Sequence, residues 1–317
     1  MKAAAALGLA VLVAVGSSLR AASPVGHWRS AQGQDAYLAS YRAAFAELPR
    51  PAATLDLRTS SGVVRVYRFA TTRSASAPAV APLVLLPGTR SATPVWADNM
   101  DDLLVIADVY SVELLGEPGM SVQERPITSA ADEARWLHEV LAQLPEKSLN
   151  LVGLSIGGWT AVNLALHHPE KVNSLTLIDP INVFGAIPWG TALRSLPAAA
   201  SWLPKSWRDG FNSFTANGAP VEDVPVADMI ELGMRHYALK KPQPGMVTPE
   251  QLESLSMPVL ALVAGKSVMH DDQADEVAAR HLRQGTVRLY PEASHALNGE
   301  VPEQIAKDMT DFLADIR

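Results

Sequence analysis

The chain has 317 residues, 48% hydrophobic, 19% charged and 6% aromatic. That composition excludes a disordered or collagen-like protein, because such chains lack the apolar residues needed to offset ordering entropy. The net charge of −7 comes without any run of Lys or Arg, which argues against a nucleic-acid-binding surface, and the absence of cysteine excludes disulfides, thiolate metal sites and cysteine nucleophiles.

Residues 1–22 place Lys2 before an apolar stretch from Ala3 to Gly16, followed by small residues. This is the layout of a secretory signal, and the stretch is short for a membrane span, which needs about 20 residues. Arg20 would sit three residues before a cut after Ala22, so an uncleaved anchor competes with a cleaved signal peptide. Either way, the segment predicts a chain exported to, or anchored in, the cell envelope of a bacterium, with membrane attachment through residues 1–22. From His27 to Leu48 the pattern is helical: Tyr37, Tyr41, Phe45 and Leu48 share one face, and Pro49 and Pro51 follow as stops. Gly62 to Phe69 alternates and is rich in β-branched residues, which predicts a strand.

Six apolar runs then recur at 82–88, 103–110, 149–155, 174–180, 258–265 and 286–293, with helical patterns at 131–144 and 158–168. Strands apolar on both faces belong to buried parallel sheets, and their alternation with helices implies right-handed crossovers. The predicted fold is a doubly wound, mostly parallel α/β sheet. Its core spans 57–180 and 256–317, preceded by a helical segment at 23–56. Between Asp179 and Met257 no strong strand signal occurs, while Phe184, Trp189, Trp202, Trp207, Phe211 and Phe214 cluster there. An insertion of this length inside a compact domain is usually functional. It predicts a helical cap at 181–255, inserted before the penultimate strand, with Trp159 and Trp189 as candidate contacts to an apolar acyl or alcohol group.

Gly153-Leu154-Ser155-Ile156-Gly157 lies between the buried strand LNLV and the helix GWTAVNLALHH. A strand-to-helix turn this tight forces the serine into a strained conformation, and only glycines beside it let neighbouring backbone pass. The hydroxyl then stands over the sheet at a helix N-terminus, whose dipole favours an anionic intermediate. A serine needs a base. His167 and His168 end the following helix and suit capping; being adjacent, they point about 100° apart, which is poor for joint metal binding. His138 falls inside an amphipathic helix. His295, in the turn after the last strand, is the candidate base.

The pieces Leu86-Pro87-Gly88-Thr89, GLSIGG and PEASHAL together resemble the α/β-hydrolase fold family, from about Leu57 to Arg317. HWRSAQGQDAYLASY with GLSIGGWTAVNLAL also resembles a subgroup of bacterial hydrolases of ill-defined substrate. The resemblance implies an oxyanion hole made by the N–H groups of Ile156 and Thr89, each worth roughly 3–4 kcal/mol. Where relatives often carry His-Gly before the latter, this chain has Pro87-Gly88, and the Thr89 hydroxyl is a further candidate donor. The resemblance also implies an acid shortly after the penultimate strand, but Ser267 occupies that slot, and serine cannot stabilise an imidazolium as a carboxylate does. Two carboxylates stand in: Asp179, at the tip of SLTLIDP, and Asp271, in VMHDD. Asp179 is preferred, because a strand tip is held more rigidly than a loop; Asp271 alternatively caps the helix that follows it.

The resulting expectation is a serine hydrolase that cleaves an ester-like bond of a small molecule through an acyl-enzyme on Ser155, with His295 as base and no metal or organic cofactor. Cofactor-free haloperoxidase or C–C bond hydrolase chemistry, which resembling proteins run with the same triad, is the enzymatic alternative. A dehalogenase is disfavoured, since its nucleophile would be Asp. Ser267 in the acid's slot also keeps open a non-catalytic binding protein on the same scaffold.

Overall fold

Strands that are apolar on both faces must be covered on both faces, and the central sheet is built around that demand. The computed structural model describes residues 23–74, 76, 79–191 and 224–316. In chain order its strands are β1 (His27–Trp28), β2 (Ala53–Thr59), β3 (Gly62–Phe69), β4 (Leu83–Leu86), β5 (Val109–Val112), β6 (Val122–Gln123), β7 (Leu149–Leu154), β8 (Val172–Ile178), β9 (Tyr237–Ala238), β10 (Val259–Ala264) and β11 (Gly285–Tyr290). The helices are α1 (Ala31–Phe45), α2 (Ala97–Ile106), α3 (Ala130–Gln143), α4 (Ile156–His167), α5 (Pro225–His236), α6 (Pro249–Ser254), α7 (Ala274–His281), α8 (Leu297–Glu300) and α9 (Pro302–Asp315).

The main sheet has nine strands in the order β11-β10-β8-β7-β4-β5-β3-β2, with β6 paired to β3. β5, β4, β7, β8, β10 and β11 are mutually parallel, whereas β2, β3 and β6 add an antiparallel edge. Every residue of β4, β7 and β10 is buried. One apolar cluster, with Trp136, Leu137, Val162 and Leu164, covers one face; a second, with Trp96, Met100, Met309 and Phe312, covers the other. The sheet therefore lies between two helical layers, which is the doubly wound architecture expected.

Two strand expectations change. The apolar run 103–110 is not one strand: Leu103–Ile106 forms the last turn of α2, and β5 starts at Val109. Met100, Leu103 and Leu104 pack inward while Val105 is 61% exposed, a one-sided burial that suits a surface helix and not a doubly covered strand. The last run does form a strand, β11, but it sits at the sheet's edge with half of its residues exposed, so it is not the two-sided buried strand predicted. At the other edge the sheet begins at Ala53, inside the stretch read as helical.

The N-terminal helix starts at Ser30, whose hydroxyl accepts from the Gly33 N–H, an N-cap of ordinary type. Tyr37 and Tyr41 are buried against Met229 of α5 and Ala92 of the loop after β4. Helix α1 ends at Phe45, so Leu48 lies in the turn beyond it. β1 pairs antiparallel with β9, which fastens the same segment to the chain leaving α5. Among the described residues no helix is long and apolar enough to cross a membrane; residues 1–22, like Trp202, Trp207, Phe211 and Phe214, lie outside them.

Tyr37→Ala should destabilise the fold by about 3–5 kcal/mol, the range for emptying a buried aromatic site. A denaturant titration compared with the wild type measures it.

Candidate active site

β7 runs directly into α4 through Ser155, which has φ 54° and ψ −115°. A non-glycine residue in this region costs of order 1–3 kcal/mol and persists only where its surroundings enforce it. Here the surroundings are backbone. A Cβ on Gly157 would lie 2.0 Å from the Leu86 carbonyl oxygen, and one on Gly153 would lie 2.4 Å from that of Gly157. Both glycines are therefore needed for the first turn of α4 to press against the exit of β4. The Ser155 N–H is fixed on the Ile178 carbonyl at 3.0 Å. Among the described residues, the N–H groups of Ile156 and Thr89 have no hydrogen-bond acceptor.

His295 comes from the loop between β11 and α8. That loop is tied down by Glu300, which accepts from the Ser294 N–H at 2.8 Å and from its hydroxyl at 2.5 Å. His295 Nδ1 lies 2.6 Å from Asp179 Oδ2, and Nε2 lies 2.9 Å from Ser155 Oγ. A carboxylate only accepts, so the proton belongs on Nδ1 and the bare Nε2 accepts from the serine hydroxyl.

Asp179 follows β8 with φ 43°, and its N–H donates to the Leu262 carbonyl of neighbouring β10 at 2.8 Å. Its side chain is fully buried and receives four donors. The Ala264 N–H (3.0 Å) and His270 Nε2 (2.8 Å) meet Oδ1; the Ser267 hydroxyl (2.6 Å) and His295 Nδ1 (2.6 Å) meet Oδ2. Burial alone would raise the pKa of this carboxyl. The hydrogen bonds from His270 and His295, with their charge, outweigh it and hold the group well below the usual carboxylate range.

The loop after β4 rests on two buried glutamates. Glu117 accepts from the Thr89 hydroxyl at 3.3 Å and from the Arg90 N–H at 3.1 Å. Glu113 accepts from the Thr93 N–H and the Tyr41 hydroxyl. Lys241 meets Glu117 at 2.9 Å, and Arg90 donates to the Met234 carbonyl at 3.1 Å. Arg90 and Ala92 both have positive φ, so the loop's shape depends on these anchors. The Thr89 hydroxyl, expected as a possible further oxyanion donor, is engaged by Glu117.

The structure thus brings Ser155, His295 and Asp179 into one hydrogen-bonded chain. Asp271 stays apart: its carbonyl faces His270 Nδ1 at 2.7 Å and its carboxylate accepts from the Gln273 N–H. It does not cap α7 either, whose N-cap is Gln273. Trp159 is buried in the core, its indole N–H on the Gly245 carbonyl at 2.8 Å, while Trp189 is 85% exposed. His167 closes α4 with Nδ1 on the Asn163 carbonyl. His138, His168 and Glu170 place metal-binding atom types within 4.8 Å of one another. However, the two rings stack at 4.2 Å and 21°, so their in-plane lone pairs run side by side and do not converge. The group also lies a full helix, about 18 Å, from Ser155. Sequence reasoning missed His270 and the donor role of Ser267; both depend on β8 and β10 being neighbours, which no local pattern reports.

Residues 81–218 match the family described as alpha/beta hydrolase fold. The fold is that of the α/β hydrolases. This α/β hydrolase is 27% identical over 249 residues to the carboxylesterase YbfK of Bacillus subtilis (strain 168), covering 75% of this chain and 82% of that one. The crystal structure of that carboxylesterase, CesB (YbfK), matches with a TM-score of 0.78 at 21% identity, over 90% of this chain and 99% of the other. The crystal structure of a naproxen esterase (carboxylesterase NP), also from Bacillus subtilis, matches with a TM-score of 0.79 at 23% identity, over 89% and 99%.

Gly157→Ala should lower the melting temperature and leave Ser155 unreactive, because the added Cβ would enter the Leu86 carbonyl. Thermal unfolding combined with labelling by a fluorophosphonate reads both effects; a variant as stable and reactive as the wild type would contradict the close approach.

Proposed function

We propose that this α/β hydrolase cleaves carboxylic esters by acyl transfer, with Ser155 as nucleophile, His295 as general base and acid, and Asp179 as the orienting carboxylate. The observation that carries the reading is the continuous chain Ser155 Oγ–His295 Nε2 (2.9 Å) and His295 Nδ1–Asp179 Oδ2 (2.6 Å) at a strained strand-to-helix turn. As Ser155 Oγ bonds to the ester carbonyl carbon, its proton passes to His295 Nε2, and the imidazolium is stabilised by Asp179. The carbonyl electrons move onto oxygen, to which the N–H groups of Ile156 and Thr89 donate hydrogen bonds. Collapse breaks the bond to the alcohol, which leaves with the proton from His295. Water, deprotonated by His295, then releases the acid and restores Ser155.

The names of the carboxylesterase relatives favour an ester over a C–C bond or a halide as the point of attack. The Trp- and Phe-rich interval after Asp179 supports an apolar acyl or alcohol group. The charge-then-apolar order of residues 1–22 supports export to, or anchoring at, the cell envelope.

Ser155→Ala should reduce turnover of p-nitrophenyl esters by about a millionfold. Asp179→Asn should reduce it by about ten-thousandfold, through loss of the carboxylate that fixes the tautomer, whereas Asp271→Asn should keep activity within a few-fold of wild type. Equal losses from the two Asp variants would overturn the assignment of the acid. Removing residues 1–22 should move the expressed protein from the envelope fraction to the cytosol, read by fractionation and immunoblot; an unchanged distribution would refute the role given to that segment.

A further inference from the structure

The Asp179 carboxylate serves two histidines, and only one of them faces Ser155. His270 lies six residues beyond β10, buried, with Nε2 2.8 Å from Asp179 Oδ1 and Nδ1 2.7 Å from the Asp271 carbonyl oxygen. Neither partner can donate. The backbone carbonyl is an acceptor only. Asp179 already accepts hydrogen bonds from the Ala264 N–H, the Ser267 hydroxyl and His295, so it has neither need nor room for a proton of its own. A bare ring nitrogen at 2.7–2.8 Å from an oxygen lone pair would be repelled. Both ring nitrogens therefore carry hydrogen, and a ring with both is cationic.

We propose that His270 is a positioning residue of the active site: a buried imidazolium that clamps Asp179 Oδ1 and neutralises that carboxylate, so that the negative charge beside His295 is already answered. The inference rests on the proposed roles of Ser155, His295 and Asp179. With His270 charged, Asp179 and its partner sum to zero before reaction. Protonating His295 then takes the trio to +1. With His270 absent, the buried Asp179 would recruit its counter-charge from His295, which would become protonated earlier and lose its capacity to accept from Ser155. The second histidine thus opposes premature protonation of the first.

The surroundings agree with a cation. Among the described residues, the charged and titratable groups facing His270 are Asp179 at the tip of β8, Asp271 on its own segment, and His295 across the shared carboxylate. The segment after β8 brings Gly185 against the His270 Cβ, where a side chain would approach to 3.3 Å. Burial disfavours the charged ring, but the hydrogen bond and charge of Asp179, with the Asp271 carbonyl, raise its pKa above the ordinary histidine value.

The test uses the full chain and His270→Gln, which keeps a side-chain N–H donor but no charge. The acidic limb of kcat/KM for a p-nitrophenyl ester should move to higher pH by about one unit, the size expected when one like charge is removed nearby. A loss of activity at every pH with the limb unmoved would mean a merely structural role and overturn the proposal. Should His270→Gln fail to fold, the second measurement decides alone: nitrogen-15 NMR of histidine-labelled Ser155→Ala protein at neutral pH should show His270 with both nitrogens protonated, and a neutral ring would overturn the inference. That spectrum needs no turnover. If wild-type protein instead fails to hydrolyse any ester or to label at Ser155, the proposed function fails while the charge state of His270 still stands to be read.

Discussion

A carboxylate with no exposure to water must be held by donors on every side, and Asp179 is where this structure concentrates that requirement. It sits on β8, yet its donors come from the neighbouring strand and from two loops. Ala264 ends β10, Ser267 and His270 follow it, and His295 arrives from beyond β11. The site is thus a seam between adjacent parallel strands, closed by side chains that lie 85 or more residues away from Asp179 in sequence. The register of β8 on β10, with Ile178 opposite Leu262, is what lets the Asp179 N–H and carboxylate both bond across it.

This seam also accounts for Ser267. The family resemblance leads one to look for an acid after the penultimate strand, and its absence reads at first as a decayed site. The structure shows the same position supplying a hydroxyl to a carboxylate that enters from one strand over. The carboxylate stands at the tip of β8 and not in the loop after β10, and Ser267 in that loop donates to it.

The rest of the carboxyl edge follows a similar economy of strain and anchorage. Ser155, Asp179, Arg90 and Ala92 all adopt positive φ without being glycine, and each is held by backbone or buried charge around it. For the loop after β4 the anchors reach far: Glu117 takes Thr89, Arg90 and Lys241, and Glu113 takes Thr93 and Tyr41. Burial lowers the pKa of the Lys241 ammonium, but the charges of Glu117 and Glu133 outweigh it and raise it above the ordinary lysine value. Because Tyr41 belongs to α1 and Lys241 follows β9, the N-terminal helix and the segment after β9 are mechanically part of the loop that carries the Thr89 N–H. An N-terminal segment that looks like an appendage in sequence thus buttresses the site.

What could be read from the sequence was whatever is decided locally. The Gly153–Gly157 turn announces itself because its steric needs fall within five residues, and His295 because it follows a strand at the chain's end. The six apolar runs gave the α/β alternation for the same reason. Leu103–Ile106 misled because a short apolar run has no period; only its packing, with Val105 outward, makes it helix. β11 misled because edge position is a property of the sheet and not of the strand. His270 and Ser267 were invisible for a stricter reason: their chemistry exists only once β10 lies beside β8. No spacing encodes that, since the interval between the two strands runs from Asp179 to Pro258.

The same non-locality governs the charge of the site. An ionised, buried carboxylate beside a single histidine would draw the proton onto that histidine, and a protonated His295 cannot accept from Ser155. A second cation on the opposite oxygen removes that demand without occupying the geometry of the first, since Oδ1 and Oδ2 face different partners. A neutral donor at the position of His270 could hold Asp179 in place equally well, but it would leave the negative charge to be answered by His295. What distinguishes a histidine there from an asparagine or a glutamine is therefore charge and not shape, and charge acts on the pH at which the base becomes available.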